Sequence, residues 1–238
     1  MATGDASRAQ PGAPRGAAER RQPWWHAALE LLLPSVCASC GRDAPAGPLC
    51  GACALAPADV LAPPPRALSS WHAAIAHEGA GGDWVRRFKY PARGLPGLDP
   101  AAEAVAVGLV KGLVKRLPGA APDLVVPVPL HARRLRERGF NPAALLAQAC
   151  AREARVRFAP VLLTRLRDTP SQTGLSRAAR RRNVAGVFVA RATAAPRVWL
   201  VDDVVTTGST LSEAARALRR AGVREVVGVC LAHRPLVG

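Results

Sequence analysis

Aromatic side chains are scarce in this chain of 238 residues: they make up 4% of it, with one tyrosine and four phenylalanines. They are not interleaved with the arginines, which weakens the case for a stacking platform for single-stranded nucleic acid. Acidic residues are also few, 17 against 33 Lys and Arg, leaving a formal net charge of +16. Such an excess suits polyanions, small phosphates and nucleic acid alike, and the bias of arginine over lysine can also reflect genome base composition. No apolar stretch approaches the roughly 20 residues of a membrane span. Residues 27–36 faintly resemble a signal-peptide core, but Glu30 interrupts the run and Pro34 ends it. Neither Gly-x-x-x-x-Gly-Lys nor Gly-x-Gly-x-x-Gly occurs, so kinase-type and dinucleotide readings fall away. Cysteines number only six, and four sit in two Cys-x-x-Cys pairs. That pattern favours metal over disulfides and a cytoplasmic setting.

What is present is concentrated in residues 198–210. Val198, Trp199, Leu200 and Val201 form the near-continuous apolar run of a parallel strand covered on both faces. Asp202 and Asp203 then fall where the strand is expected to leave the sheet, the edge at which open α/β folds bind ligands. Thr206, Thr207, Gly208, Ser209 and Thr210 supply backbone N–H groups and hydroxyls, and Gly208 permits a tight turn. Ser209 or Thr210 is expected to cap a helix with the apolar stripe Leu211, Ala214, Ala215, Leu218. Gly222 would close that helix, and a buried strand would begin at 225. A phosphate cradle at a helix N-terminus beside two carboxylates suits a sugar phosphate, with hydroxyls or a metal ion at the acids. The bland alternative is a capped helix with two solvated aspartates.

The cysteine cluster reads Cys37-x2-Cys40-x9-Cys50-x2-Cys53. Two such knuckles present four thiolates to one tetrahedral ion, a structural zinc site; disulfides or a redox pair are the alternatives. Cys150 and Cys230 sit in apolar patterns and read as small core residues. Residues 1–22, rich in Ala, Gly, Pro and Arg, read as a disordered tail, and 54–66 as a proline-rich linker. A short strand is expected over 71–78, an amphipathic turn or helix over 83–89, a helix over 99–117 and a strand over 123–128. Pro127, Val128, Pro129 and Leu130 end that strand, and a basic loop follows with Arg133, Arg134, Arg136, Arg138 and Gly139. Guanidinium groups grip phosphate oxygens in pairs, and a glycine near a helix start lets backbone amides join in. A solvated basic turn is the other reading, with His131 incidental. A helix over 141–152 turns Leu145, Leu146 and Ala149 inward. Strand-like 161–163 and 186–190 flank a stretch, 169–183, that turns basic and helical. Residues 131–182 hold thirteen Arg and three acids, Glu137, Glu153 and Asp168, so most of the net charge falls near the two proposed phosphate segments.

The 198–210 segment resembles the phosphoribosyl-pyrophosphate (PRPP) signature of type I phosphoribosyltransferases, in which two acids precede a Thr-Thr-Gly-x-Thr loop. Three further regions resemble the ComF family: the cysteine knuckles, Pro127–Leu130 with Arg138, Gly139, Phe140 and Asn141, and Gln172, Leu175, Arg180 with Asn183. Together these cover about residues 30–234. The resemblance implies an α/β, type I phosphoribosyltransferase fold, a parallel sheet flanked by helices, with a small hood and an N-terminal zinc-ribbon-like domain. The divisions would be 1–22 tail, 23–60 zinc ribbon, 61–122 hood and linker, and 123–238 core. ComF relatives usually carry a tyrosine where this chain has His77, and a Lys-Tyr pair like Lys89-Tyr90. By resemblance Asp202 and Asp203 hold the ribose hydroxyls, and Thr206, Thr207, Gly208, Ser209 and Thr210 the 5-phosphate. Pro129, Leu130, Arg133, Arg138 and Gly139 would form the pyrophosphate loop. Gln172 and Leu175 would lie on a mobile loop that excludes water during the reaction, where Arg180 would act as a catalytic residue with Asp202 and Asp203 by pairing with pyrophosphate in the closed state. Asn183 would serve as ligand or helix cap. The resemblance implies zinc at the cysteines, magnesium with PRPP, and transfer of a 5-phosphoribosyl group to an acceptor nucleophile with release of pyrophosphate. Its alternative is a non-catalytic, PRPP-responsive protein of DNA uptake (competence, natural transformation) that contacts single-stranded DNA or a helicase-like partner.

Overall fold

The structure is a computed structural model that describes residues 37, 39–40, 42–44, 49–55, 58, 63–90, 99–168 and 185–234. The tail expected over 1–22 lies outside the described residues, as do Gln172, Leu175, Arg180 and Asn183. In chain order the elements are β1 (Ser70–Ala76), α1 (Gly79–Lys89), α2 (Pro100–Val114), β2 (Leu124–Pro127), α3 (Ala132–Arg138), α4 (Pro142–Ala154) and β3 (Arg157–Phe158). Then come β4 (Leu163–Arg165), β5 (Phe188–Ala190), β6 (Arg197–Val205), α5 (Ser209–Arg220) and β7 (Glu225–His233).

Five strands form a parallel sheet in the order β1-β7-β6-β2-β3. The central strands are apolar runs because both faces of the sheet are covered. Strand periodicity sends alternate residues of β6 to opposite faces. Trp199 and Val201 pack with Val227 and Val229 of β7 against α1, α2 and α4. Val198 and Leu200 pack with Val226 and Cys230 against α5 and the β4–β5 ribbon. Cys150 and Cys230 are fully buried, as core residues should be.

Helix starts follow their capping chemistry. Asp99 accepts hydrogen bonds from Ala101 N (3.0 Å) and Ala102 N (3.1 Å), with Pro100 opening α2. Asn141 accepts from Ala143 N (3.1 Å) and donates to the Val128 carbonyl (3.1 Å), so one side chain starts α4 and fixes the exit of β2. The stretch 61–122, expected as hood and linker, puts β1 into the main sheet beside β7 and α2 into the helix layer. A boundary at 122 therefore does not divide two cores. The flanks of 169–183 meet as a ribbon, β4 antiparallel to β5, with Thr164 opposite Val189.

Candidate functional site

A parallel sheet aims the carboxyl ends of its strands at one edge. Here that edge carries Asp202 and Asp203 on β6, the 206–208 turn and the first residues of α5, Pro129 and Leu130 after β2, His77 after β1, and His233 and Arg234 at the end of β7. β6 does not stop at the acids, as the apolar run suggested, but pairs with β7 as far as Val205. The two carboxylates consequently belong to opposite faces of one strand. Asp203 shares the Val201 face and meets Lys89 of α1, Nζ to Oδ1 3.0 Å, both side chains mostly buried. Asp202 shares the Leu200 face, toward β4. Each acid is tied to backbone: Asp202 Oδ1 accepts from Asp203 N (2.9 Å) and Asp203 Oδ1 from Val204 N (2.6 Å). Burial, with the Asp203 charge beside it, raises the Asp202 carboxyl to about 7, against opposing pulls from Lys89, the Asp203 amide and Arg165. His77 is pushed below its usual range by burial, and by the charges of Lys89 and Arg234 against that of Asp203.

The turn after β6 corrects one expectation. Gly208, at φ +67°, is the residue that caps α5, and Ser209 already lies inside the helix. Only a residue at ease in the left-handed region can make that turn without strain. Ser209, nearly buried, shares a 2.8 Å hydroxyl contact with Thr207, whose Oγ1 also accepts from Ser209 N at 3.3 Å. Pro65 lies directly against Gly208: a Cβ there would come 2.3 Å from Pro65 Cγ. Arg219, on the last turn of α5, donates to the Ala67 carbonyl (2.7 Å) and to Ser69 Oγ (3.2 Å), holding the same segment down. Buried Glu213 accepts from Gly186 N (2.9 Å) and pairs with Arg216, tying the start of the β5 arm to α5. Burial works against the charged form of Glu213, but Arg216 and the Gly186 amide outweigh it and hold the carboxyl below its usual range.

The basic segment is a helix where a loop was expected. α3 begins at His131, whose Nδ1 accepts from Arg133 N (3.3 Å), and none of its residues is buried. Gly139, at φ +82°, ends α3 and donates to the Leu135 carbonyl (2.8 Å), so it does not lend an amide to the start of a helix. Arg133 Nε lies 3.1 Å from both Glu137 Oε1 and Asp168 Oδ2. The Arg138 guanidinium stacks over the Tyr90 ring at 4.8 Å, and Phe140 meets Phe88 at 6.4 Å. Lys89 and Tyr90, adjacent at the end of α1, thus touch the acidic half of the edge through Asp203 and the basic half through Arg138. Sequence reasoning missed Lys89 as a site residue; its signal was the Lys-Tyr pair closing an amphipathic helix. Pro129 and Leu130 are half-buried on the way from β2 to α3.

The four knuckle cysteines converge, with all Sγ atoms within 4.8 Å of one another and Cys40 3.6 Å from Cys50. Tetrahedral Zn–S bonds of about 2.3 Å require sulfurs about 3.8 Å apart, so the donor set fits zinc. The Cys37 thiol is lowered to about 6, chiefly by the Cys50 backbone N–H and in spite of burial, which favours the thiolate that a metal needs. All six cysteines are free of disulfides. Leu49 and Leu55, flanking the second knuckle, pack on the main core.

Residues 141–236 match the family model described as the phosphoribosyl transferase domain. Competence protein F of Haemophilus influenzae is 39% identical over 109 residues, 44% of this chain and 48% of that protein. DNA utilization protein YhgH of Escherichia coli K12 is 41% identical over 111 residues, 46% of this chain and 49% of that protein. The chain spans about half the length of the curated relatives it matches. The structure of glutamine phosphoribosylpyrophosphate (PRPP) amidotransferase from B. subtilis, complexed with ADP and GMP, aligns over 61% of this chain and 30% of that one. Its identity is 22% and its TM-score 0.40.

Proposed function

From the match of residues 141–236 to the phosphoribosyl transferase domain model and the 39–41% identity with Competence protein F and YhgH, we propose a PRPP-binding transferase that works in the handling of DNA taken up by the cell. The observation that supports it is the run from carboxylates to helix: Asp202 and Asp203 on β6, then left-handed Gly208, then the N-terminus of α5. Backbone amides at such a turn would face an anion with the helix dipole behind them.

In this reading Asp202 and Asp203, one on each face of the strand, hold the two ribose hydroxyls and stabilise positive charge that grows on the sugar as the leaving group departs. Residues 206–210 hold the 5-phosphate, and Arg133 and Arg138 face the pyrophosphate. Ionised Asp202 and Asp203 are also the oxygen donors that would hold a PRPP-bound magnesium, which supplies charge neutralisation on the leaving group. Zinc at Cys37, Cys40, Cys50 and Cys53 is structural. Among the described residues no helix is long and apolar enough to cross a membrane, and the two Cys-x-x-Cys pairs support a cytoplasmic setting.

A second reading keeps PRPP binding without turnover, the ligand serving as a signal while exposed arginines of α3 meet single-stranded DNA or a helicase-like partner. The names of the relatives and the unburied basic helix favour it. One experiment addresses both. The protein is mixed with PRPP, Mg²⁺ and a panel of nucleobases, amines and ammonia, and pyrophosphate release is followed beside calorimetric PRPP binding. Binding with release supports the transferase, binding without release the sensor, and no binding refutes both. Metal analysis should find about one zinc per chain, lost in a Cys37→Ser, Cys50→Ser double variant; an iron cluster or no metal would overturn the zinc assignment.

A further inference from the structure

Asp168 follows β4 and brings its carboxylate to the first turn of α3. Its Oδ2 is 3.1 Å from Arg133 Nε, while its Oδ1 is 3.7 Å from Arg134 Nε and 3.9 Å from His131 Nδ1. Neither of the Oδ1 neighbours satisfies it. The arginine is beyond hydrogen-bond length, and His131 Nδ1 is already accepting the Arg133 amide and has no proton to offer. Oδ1 is closed off from solvent and accepts no hydrogen bond among the described residues. An anion is therefore held in a basic setting by charge, with Oδ2 as the oxygen that reaches ion-pair distance of Arg133.

The surroundings sharpen this. Of the three acids in residues 131–182, Glu137 pairs with Arg133 on its own helix and Glu153 faces Lys115 at 3.7 Å. Asp168 is the one that reaches α3 from another element. Arg165, on β4, also feels Asp168, together with Asp202 of the sugar-facing half and the repulsion of Arg134. Asp168 and Asp202 thus act on the same arginine of β4.

We propose that Asp168 is an internal anion seated in the diphosphate-binding position of α3, so that substrate must displace it. This rests on the reading of α3 as the pyrophosphate side of the site. A diphosphate brings more charge and more acceptor oxygens than one carboxylate, and guanidinium groups bond such oxygens in pairs. Exchange thus replaces the one carboxylate beside Arg133 with an anion that can bond its guanidinium in pairs. The carboxylate sets the threshold for occupancy, because a weaker anion must meet the same competition.

The test is calorimetric titration of inorganic pyrophosphate into the full chain, as wild type, Asp168→Asn, Asp168→Glu and Arg133→Gln. Ion pairs with one exposed partner are each worth about a fewfold in affinity, so Asp168→Asn should bind pyrophosphate about three- to tenfold more tightly than wild type. Asp168→Glu, which keeps the competing charge, should stay within about twofold. Equal or weaker binding by Asp168→Asn at an unchanged melting temperature overturns the proposal, since Asp168 would then be positioning the arginines. A gain in Asp168→Glu equal to that in Asp168→Asn overturns it as well. If Asp168→Asn does not fold, Asp168→Ser carries the same comparison. Pyrophosphate bound by wild type and lost in Arg133→Gln upholds the α3 cradle whatever becomes of Asp168. No binding by wild type or Asp168→Asn overturns the cradle and its internal anion together.

Discussion

Asp202, Asp203 and the turn 206–210 stand on β6 and α5, whose neighbours Val201, Leu211, Ala214 and Leu218 are completely buried, whereas Arg133 and Arg138 stand on a seven-residue helix with no buried residue at all. On the acidic side the backbone does the positioning: strand pairing with β7, amide bonds to both carboxylates, and a left-handed glycine. On the basic side long side chains stacked or paired with one another set the geometry. In the proposed site one half would be rigid before ligand arrives and the other would rearrange. Preorganised groups in low dielectric act strongly on developing charge; exposed arginines contribute less and are screened by salt.

The largest contrast should come from removing charge on the rigid side. Asp202→Asn with Asp203→Asn is expected to lower PRPP affinity about a hundredfold or more, since buried, hydrogen-bonded charges that lose their role cost several kcal/mol. Arg133→Gln should cost less than about tenfold. Calorimetry on the two variants decides it, and equal losses would end the distinction between the halves.

Next comes the turn. Gly208→Ala forces a Cβ onto a residue at φ +67° and within 2.3 Å of Pro65 Cγ. Strain and crowding together should destabilise the fold by about 2–4 kcal/mol, several degrees of melting temperature for a domain of this size. Arg133→Ala, on the unburied helix, should move stability by no more than about 0.5 kcal/mol. Thermal melts of both variants measure the contrast.

This difference also explains what could be read in advance. The β6–turn–α5 unit was legible because its signals are local: an apolar run, adjacent acids, Thr-Thr-Gly-Ser-Thr and a helical stripe. Those signals assigned the cap to Ser209 or Thr210, since hydroxyl residues usually take it, but the turn needed a left-handed residue and Gly208 won. α3 was hidden because an arginine helix with no buried residue has no hydrophobic period. What sustains it is good intrinsic propensity, the Arg133–Glu137 pair and caps at His131 and Gly139. β1 was legible as a strand but not as a member of the main sheet, because its partner β7 lies at the other end of the chain. The Lys89–Asp203 pair and the approach of Asp168 to α3 are likewise products of topology, invisible to spacing.

The pH response of the acidic half should be smaller but distinctive. Asp202 titrates near 7 when folded against an ordinary value of 3.8. Between those values the folded chain holds a proton that the unfolded chain has released. The stabilising contribution is therefore complete below pH 3.8 and lost as pH rises through about 7. Ligand works in the opposite sense, because hydroxyls and cations need the ionised form. PRPP affinity should climb through neutral pH in wild type and lose that climb in Asp202→Asn. Asp203 raises the Asp202 value, while Lys89 and Arg165 restrain it. Lys89→Gln should therefore shift the climb to higher pH. Calorimetry across a pH series tests both signs, and a flat wild-type profile would remove Asp202 from the binding step.

The smallest effect belongs to salt. If the basic half acts through exposed guanidinium groups, raising ionic strength should erode the Arg133 contribution, leaving wild type and Arg133→Gln nearly equal in PRPP affinity in roughly molar salt, where charges are screened within about 3 Å. The penalty of Asp202→Asn with Asp203→Asn should persist there, because its carboxylates are mostly shielded from solvent and held by backbone amides. Titrations at low and high salt provide the measurement. A wild-type advantage over Arg133→Gln that survives high salt would mean that Arg133 becomes buried on ligand binding, and that the basic half is as well enclosed in the complex as the acidic half is before it.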